Sequence, residues 1–303
     1  MKSIKCPFPY FGSKKSVADI IWKAFGNPKN YIEPFAGSLS VLFGNPNPAK
    51  IETVNDIDCF LVNFWRATIY DVENVIKFAD VPVNETEIHA RHRFLINDKF
   101  SKEFKDKLEN DPLFFDSKAA GYWLYGMCAS IPGNWLRNKG LNSIPMLGYG
   151  GAGIQGLTAD INEWLNAIKN RLKKVRVACG DWKRVVSPAI TYQNKGISDK
   201  DFTAILLDPP YANKKRSKVY LNDKENDIYY EVCEWAVKNY NANQRIAVCG
   251  YNDDYNFPEN WKRYYWSTSG GFANKSKKNS QGKINSKKEV IYFSPSCLTD
   301  FIE

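Results

Sequence analysis

The spacing of apolar and polar residues changes along the chain, and each change marks an element. In "SVADIIWKAFG" (16–26) apolar residues recur at three and four and a Gly follows, which predicts a helix. "NYIEPFAGSLSVLFG" (30–44) begins as a short strand, breaks at a turn over Pro34 to Ser38 and resumes as a helix. "KIETVNDID" (50–58) reads as a second strand ending in acids, and "CFLVNFWRATIYD" (59–71) as an apolar helix. The stretch from 84 to 130 reads as mostly helical. The alternation resumes with "TADINEWLNAIKNRLKK" (158–174, helix), "VRVACGD" (175–181, strand) and "TAILLDPPY" (203–211, strand and turn). "DIYYEVCEWAVKNY" (227–240, helix) and "RIAVCGYND" (245–253, strand) follow. Two strand-like runs close the chain, "WKRYYWST" (261–268) and "KEVIYFSP" (288–295), and predict a hairpin at a sheet edge around a lysine-rich loop.

Strand and helix in alternation predict an α/β fold with a parallel sheet. The middle is different. "SIPGNWLRNKGLNSIPMLGYGGAGIQGL" (130–157) is punctuated by Gly and Pro and has no acid. It is too long for an ordinary connection, so it is either functional or disordered. No internal repeat is visible. The expected organisation is one body built from residues 1–83 and 158–303, with residues 84–157 inserted.

Composition narrows the partners. The chain has 303 residues and is 44% hydrophobic, enough for one large domain or one domain with an insertion. It contains no run of 18 apolar residues. "MKSIKCPFPYFG" lacks the apolar stretch of a signal peptide, so a cytoplasmic protein is expected. Seven cysteines without CxxC spacing predict free thiols. Only two histidines occur, His89 and His92, so a zinc site or a histidine-based triad is poorly supplied. Both are expected on a solvated helix surface beside Arg91 and Arg93. The net charge of +9 suits a polyanion, nucleic acid being the commonest.

Candidate chemistry gathers where strands end. "YIEPFAGS" is a strand leading through a small-residue turn into a helix, which lets backbone approach a ligand at Gly37. "VNDID" then puts acids at the next strand end, where a carboxylate grips ribose hydroxyls in doubly wound sheets. Asp56 suits that role and Asp58 suits a helix cap, although capping is open to either. In "PYFGSK", the aromatic pair with Tyr10 can stack on a ring and Lys14 can neutralise a carboxylate, or the stretch is simply a structural loop. In "CGDW", Asp181 can accept from an exocyclic amine and Trp182 can pack on a purine, or Asp181 can cap a helix. "LLDPPYAN" (206–213) is the most specific stretch. Neither proline has an N–H for a ladder, so the strand stops in a stiff turn at Asp208. Such a tetrapeptide, DPPY, arises by chance in about one chain in a thousand of this length, so coincidence is a poor account of it.

These motifs, in this order, resemble the Dam-type, alpha-group S-adenosylmethionine-dependent DNA adenine-N6 methyltransferases, over nearly the whole chain. "PYFGSK" is similar to their N-terminal motif, "YIEPFAG" to their cofactor loop, "VNDID" to their ribose-binding acid and "GDW" to their cofactor-adenine acid. "DPPY" is similar to their catalytic motif, "AAGYWLYGMCASIPGNW…LNSIP" (119–145) to the stretch before target recognition, and "KKEVIYF" to their closing strand. Leu39 departs from the pattern, standing where a second glycine is usual, so the helix start is expected to sit differently.

The resemblance implies a Rossmann-like sheet, mostly parallel with an antiparallel C-terminal hairpin, plus a largely helical target-recognition insertion. It implies S-adenosyl-L-methionine as cofactor, held by Tyr10, Lys14, Glu33, Phe35, Ala36, Gly37, Asp56, Asp181, Trp182 and Asp208. Asp208, Pro209, Pro210 and Tyr211 become the catalytic turn, and no metal is needed. Trp135, Arg137 and Lys139 in the insertion, with Lys275, Lys277 and Lys278 near the C-terminus, become contacts to double-stranded DNA. A cognate restriction endonuclease and a monomer or weak dimer are compatible with it. Two other readings stay open: an RNA methyltransferase with the same chemistry, and a catalytically silent DNA-binding relative.

Overall fold

The structure is a computed structural model that describes residues 4–10, 12–130, 135–136, 153–156, 160–192, 201–211, 227–252, 254–267 and 289–302. Among them, seven strands form one sheet: β1 (Asn30–Glu33), β2 (Ile51–Asp56), β3 (Val175–Cys179), β4 (Thr203–Leu207), β5 (Gln244–Tyr251), β6 (Lys262–Trp266) and β7 (Glu289–Phe293). Their order is β3-β2-β1-β4-β5-β7-β6. The first five are parallel; β7 runs antiparallel between β5 and the edge strand β6. The fold is therefore the expected mostly parallel α/β sheet with an antiparallel C-terminal pair. From β1 the chain winds one way to β2 and β3 and the other way to β4 and β5. The crevice at that reversal, outside the strands' carboxyl ends, is where such sheets take ligands.

The strand side chains alternate between two cores. Tyr31, Val54, Ala204, Leu206, Ala247, Cys249, Ile291 and Phe293 face one layer of helices. That layer includes α1 (Ala18–Phe25), α3 (Cys59–Tyr70), α4 (Val72–Ala79), α7 (Ser117–Ala129) and α8 (Ile161–Leu172). Ile32, Ile205, Leu207, Ile246, Val248 and Tyr292 face the other side, covered by α9 (Asp227–Asn239) and the short turn 182–185. Burial on both faces explains why β4 carries an unbroken apolar run, Ala204 to Leu207.

Local signals set the helix ends. Asp58, Asn84, Asn97, Asp116 and Asp160 each accept a backbone N–H at the start of α3, α5 (Glu85–Ile96), α6 (Asp98–Asn110), α7 and α8. A short helix α2 (Ser40–Phe43) follows the first loop. Arg171 of α8 forks onto both oxygens of Glu52 at 2.6 and 2.7 Å, tying that helix to β2.

The helices from 84 to 130 share the main core with the sheet-covering layer. Gly121 of α7 lies so close to α4 that a Cβ would come within 2.4 Å of the Phe78 Cβ. Arg66 of α3 is buried and donates to the carbonyls of Val177, Leu108, Asp111 and Phe114, joining β3 to the region after α6. One expectation needs correction here. His92 and Arg91 are buried, not solvated, because the inner face of α5 carries Ile88, Arg91, His92 and Leu95. Arg91 is accommodated between the rings of Tyr122 and Tyr125, 4.4 and 4.2 Å from their centroids, and by Glu87 at 3.0 Å.

Candidate active site

The candidate acids Glu33, Asp56 and Asp208 sit at strands' carboxyl ends because the strands stop there. β1 ends at Glu33 and turns at Pro34; β2 ends at Asp56; β4 ends before Asp208, where Pro209 and Pro210 cannot extend a ladder. The loop after β1 is held from below. Asn55, buried, donates to the carbonyls of Pro34 and Gly180 at 3.0 Å each, so one amide ties the loops after β1 and β3 together. The Ala36 N–H donates to Asn55 O at 2.9 Å.

Asp56 then fixes the turn itself. Its carboxylate accepts the Gly37 N–H and the Asp58 N–H, both at 2.9 Å. Burial raises the Asp56 pKa, and the amides of Asp58, Gly37 and Ile57 oppose that rise. Gly37 has φ +47, and an added Cβ would stand 2.8 Å from the Tyr10 ring. Tyr10 is thus laid directly on this glycine. Leu39 also takes a left-handed conformation, φ 54, and is fully buried. The backbone keeps the glycine-type geometry although the residue is leucine. Asp58 caps α3 through the N–H groups of Phe60 and Leu61, which separates its role from that of Asp56.

Across the crevice, the Lys14 ammonium donates to Asp208 Oδ2 at 2.8 Å and to Gly12 O at 2.9 Å. Burial works against the Lys14 charge, but Asp208, Cys249 and Glu289 outweigh it and hold its pKa above the ordinary value. Lys14 also lies 5.3 Å from the Tyr211 ring centroid. The Tyr211 hydroxyl faces Asp208 Oδ1 at 3.3 Å and Glu289 Oε2 at 3.5 Å, and its ring packs edge-on to Tyr251 at 4.7 Å. Glu33 is buried, accepts from the Tyr31 hydroxyl at 3.0 Å, and has its pKa pushed up to about 8 by burial, with Asp208, Glu52 and Asp56 adding to the rise.

Asp181 is exposed and accepts the Lys183 N–H at 2.8 Å, a capping contact. Trp182 is buried, its ring 6.0 Å from that of Phe35, which is the more exposed of the two. A ligand ring entering here meets Phe35 first. Trp135, expected against DNA, is only 6% exposed and lies where a Cβ on Gly126 would come within 1.9 Å of its indole. Its ring also lies 5.6 Å from that of His92, so it packs against α5 as well as α7. Arg137, Lys139, Lys275, Lys277 and Lys278 lie outside the described residues.

Tyr10, Gly37 and Asp56 thus meet at the turn after β1, and Lys14, Asp208 and Tyr211 at the turn after β4, with Glu33 close enough to Asp56 and Asp208 to feel both. Glu289 joins them without having been singled out in the sequence. It is the first residue of β7 and pairs with Tyr251 in the β5–β7 register, so the antiparallel strand delivers its leading residue to the parallel strands' carboxyl end. The acid in "KKEVIYF" was visible, but nothing local says which way that strand runs.

Chemically the crevice offers several carboxylates around one buried ammonium, with backbone and rings alongside. It suits a ligand of positive charge carrying N–H and O–H donors. S-adenosyl-L-methionine, with a sulfonium and an ammonium against one carboxylate, fits that description. No curated protein matches this chain. Residues 10–131 match the model of the D12 class N6 adenine-specific DNA methyltransferases, a span that contains Tyr10, Lys14, the Gly37 loop and Asp56.

Proposed function

We propose that this chain transfers a methyl group from S-adenosyl-L-methionine to the exocyclic N6 amine of an adenine flipped out of duplex DNA, at specific sites. The observation that carries this reading is the Lys14–Asp208 pair at the end of β4, across the crevice from the Asp56–Gly37 turn. The family match favours DNA over RNA as substrate.

The cofactor supplies an electrophilic methyl on a sulfonium. The rest falls to side chains. Asp56 accepts ribose hydroxyls, Phe35 covers the cofactor's adenine with Trp182 beneath it, and Glu33 and Lys14 meet its amino-acid end. The target amine is a poor nucleophile because its lone pair is delocalised into the purine. Asp208 and the Pro209 carbonyl accept its two N–H groups. Those bonds strengthen as the nitrogen becomes tetrahedral and positive, which favours the transition state over the ground state. Each Asp208 oxygen keeps a lone pair beyond its contact to Lys14 or Tyr211. Pro209 and Pro210 hold both acceptors on a stiff turn, and the Tyr211 ring holds the purine.

An amine inside a duplex stack cannot reach that turn, so the base must leave the helix. Contacts to the strand then come from the 84–157 region, with Arg137 and Lys139, and from Lys275, Lys277 and Lys278. The test is Asp208→Ala. Transfer of labelled methyl to duplex DNA should fall by about 10²–10³-fold or more, while cofactor binding by calorimetry changes only a few-fold. Near-normal methylation by the variant removes Asp208 from the reaction.

A further inference from the structure

We infer that Glu289 is a positioning residue of the methyl-transfer site, holding the Tyr211 hydroxyl and sharing the charge of Lys14 with Asp208. This rests on the reading of the Asp208 turn as the active centre.

Three observations meet at Glu289. The β5–β7 register sets it opposite Tyr251, whose ring packs on Tyr211. Its Oε2 stands 3.5 Å from the Tyr211 hydroxyl, which is also 3.3 Å from Asp208 Oδ1. It is partly buried and contributes to holding the charge on Lys14, the ammonium that also bonds Asp208. The groups facing Glu289 among the described residues are thus Lys14, from the segment before α1, and Asp208 and Tyr211, from the turn after β4.

The consequence follows from counting donors. The Tyr211 hydroxyl has one proton and two carboxylates within reach. Burial, with Asp208 and Glu289 nearby, pushes its pKa far up, so the proton stays on it. When that proton goes to Asp208 Oδ1, it shares that oxygen with the target amine and weakens it as an acceptor. When it goes to Glu289, Oδ1 is left to the amine and the Tyr211 ring stays fixed. The second carboxylate also offsets Lys14, whose charge otherwise weakens Asp208 as an acceptor and opposes the positive charge growing on the amine.

The experiment compares Glu289→Gln, Tyr211→Phe, the double variant and Asp208→Asn by single-turnover methyl transfer to duplex DNA. Binding of S-adenosyl-L-methionine and of DNA is measured separately. Glu289→Gln keeps the side chain's shape and removes its charge. It should slow transfer about 10- to 100-fold, with both dissociation constants within about threefold. In the Tyr211→Phe background the same change should cost less than in the wild type, because the shared hydroxyl is gone. Wild-type transfer by Glu289→Gln, with Asp208→Asn slow, overturns the role of Glu289 alone. Normal transfer by Asp208→Asn overturns the reading of the turn on which it rests. A Glu289→Gln protein that fails to fold also overturns the inference, since the residue is then structural. Strictly multiplicative rate losses in the double variant overturn the coupling through Tyr211.

Discussion

Lys14 and Asp208, 194 residues apart in the chain, meet at 2.8 Å with side chains only 6% and 19% exposed. The contact joins the segment before α1 to the turn after β4. It also neutralises one carboxylate in a crevice that holds Glu33, Asp56 and Glu289 as well. Removing one partner of a buried pair strands the other charge. Lys14→Met should therefore cost about 3–5 kcal/mol of stability, read as a lower urea midpoint with an unchanged slope. Lys14→Met combined with Asp208→Asn should recover much of it. A loss below about 1 kcal/mol for Lys14→Met, the range of exposed pairs, would show that the pair is not held in solution.

Leu39 makes an unusual case for comparing glycine with alanine. At an ordinary site glycine is the worse by about 0.5–1 kcal/mol. Here φ is 54 and the side chain is fully buried. Both replacements lose the packing, at about 2–5 kcal/mol for leucine to alanine. Only glycine relieves the left-handed strain, about 1–2 kcal/mol for an L-residue. Leu39→Gly should thus be the more stable of the two variants in denaturant titrations. The opposite order would mean that the turn relaxes out of this conformation.

Asp56→Ala removes the acceptor for two backbone N–H groups as well as the proposed ribose contact. Cofactor affinity by calorimetry should drop by about tenfold to a hundredfold, or roughly 1.5–3 kcal/mol. Asp56→Asn keeps an acceptor and should fall less. An unchanged constant in both variants takes Asp56 out of the site.

The salt dependence of DNA binding tests the lysine-rich run. Each lysine that neutralises a phosphate adds about 0.9 to the slope of log affinity against log salt. Replacing Lys275, Lys277 and Lys278 with Gln should flatten that slope by up to roughly 2–3, with cofactor affinity untouched. An identical slope would leave the run as a solubilising segment.

Much of this architecture is legible from period alone. β4 is buried on both faces, so it appears as an apolar run, and the parallel strands stop at residues the sequence marks plainly: Pro34 after β1, acids at the end of β2, two prolines after β4. Asp58 as a cap follows from its place before an apolar helix. What local pattern does not carry is pairing. Nothing in "KKEVIYF" says that β7 lies between β5 and β6, so Glu289 is found only when the register is known. Burial of charged helix faces is hidden for a similar reason. Arg91 and His92 look like surface until Tyr122, Tyr125 and Trp135 close over them from elsewhere in the chain. α4 is missed because its eight residues follow α3 after the single break at Asp71.

Glu33 gives the cofactor step a pH dependence. In the free protein its carboxyl is pushed up to about 8, by burial first and by Asp208, Glu52 and Asp56 beside it. At neutral pH the free site therefore holds a proton on Glu33. A cationic ligand favours the ionised carboxylate and lowers that pKa, so binding releases a proton. The sign follows: affinity for S-adenosyl-L-methionine should rise as pH rises toward about 8 and level off above it. It should fall progressively as pH drops and the free site becomes protonated. Folding alone moves the other way, since a raised carboxyl pKa means the native state binds the extra proton and loses stability as pH rises through this range. Calorimetry in buffers of different ionisation enthalpy measures the released proton directly. Glu33→Gln should remove both the proton release and the slope, leaving a weaker, pH-independent affinity. Proton uptake on binding by the wild type, or an unchanged slope in Glu33→Gln, would place the titrating group elsewhere.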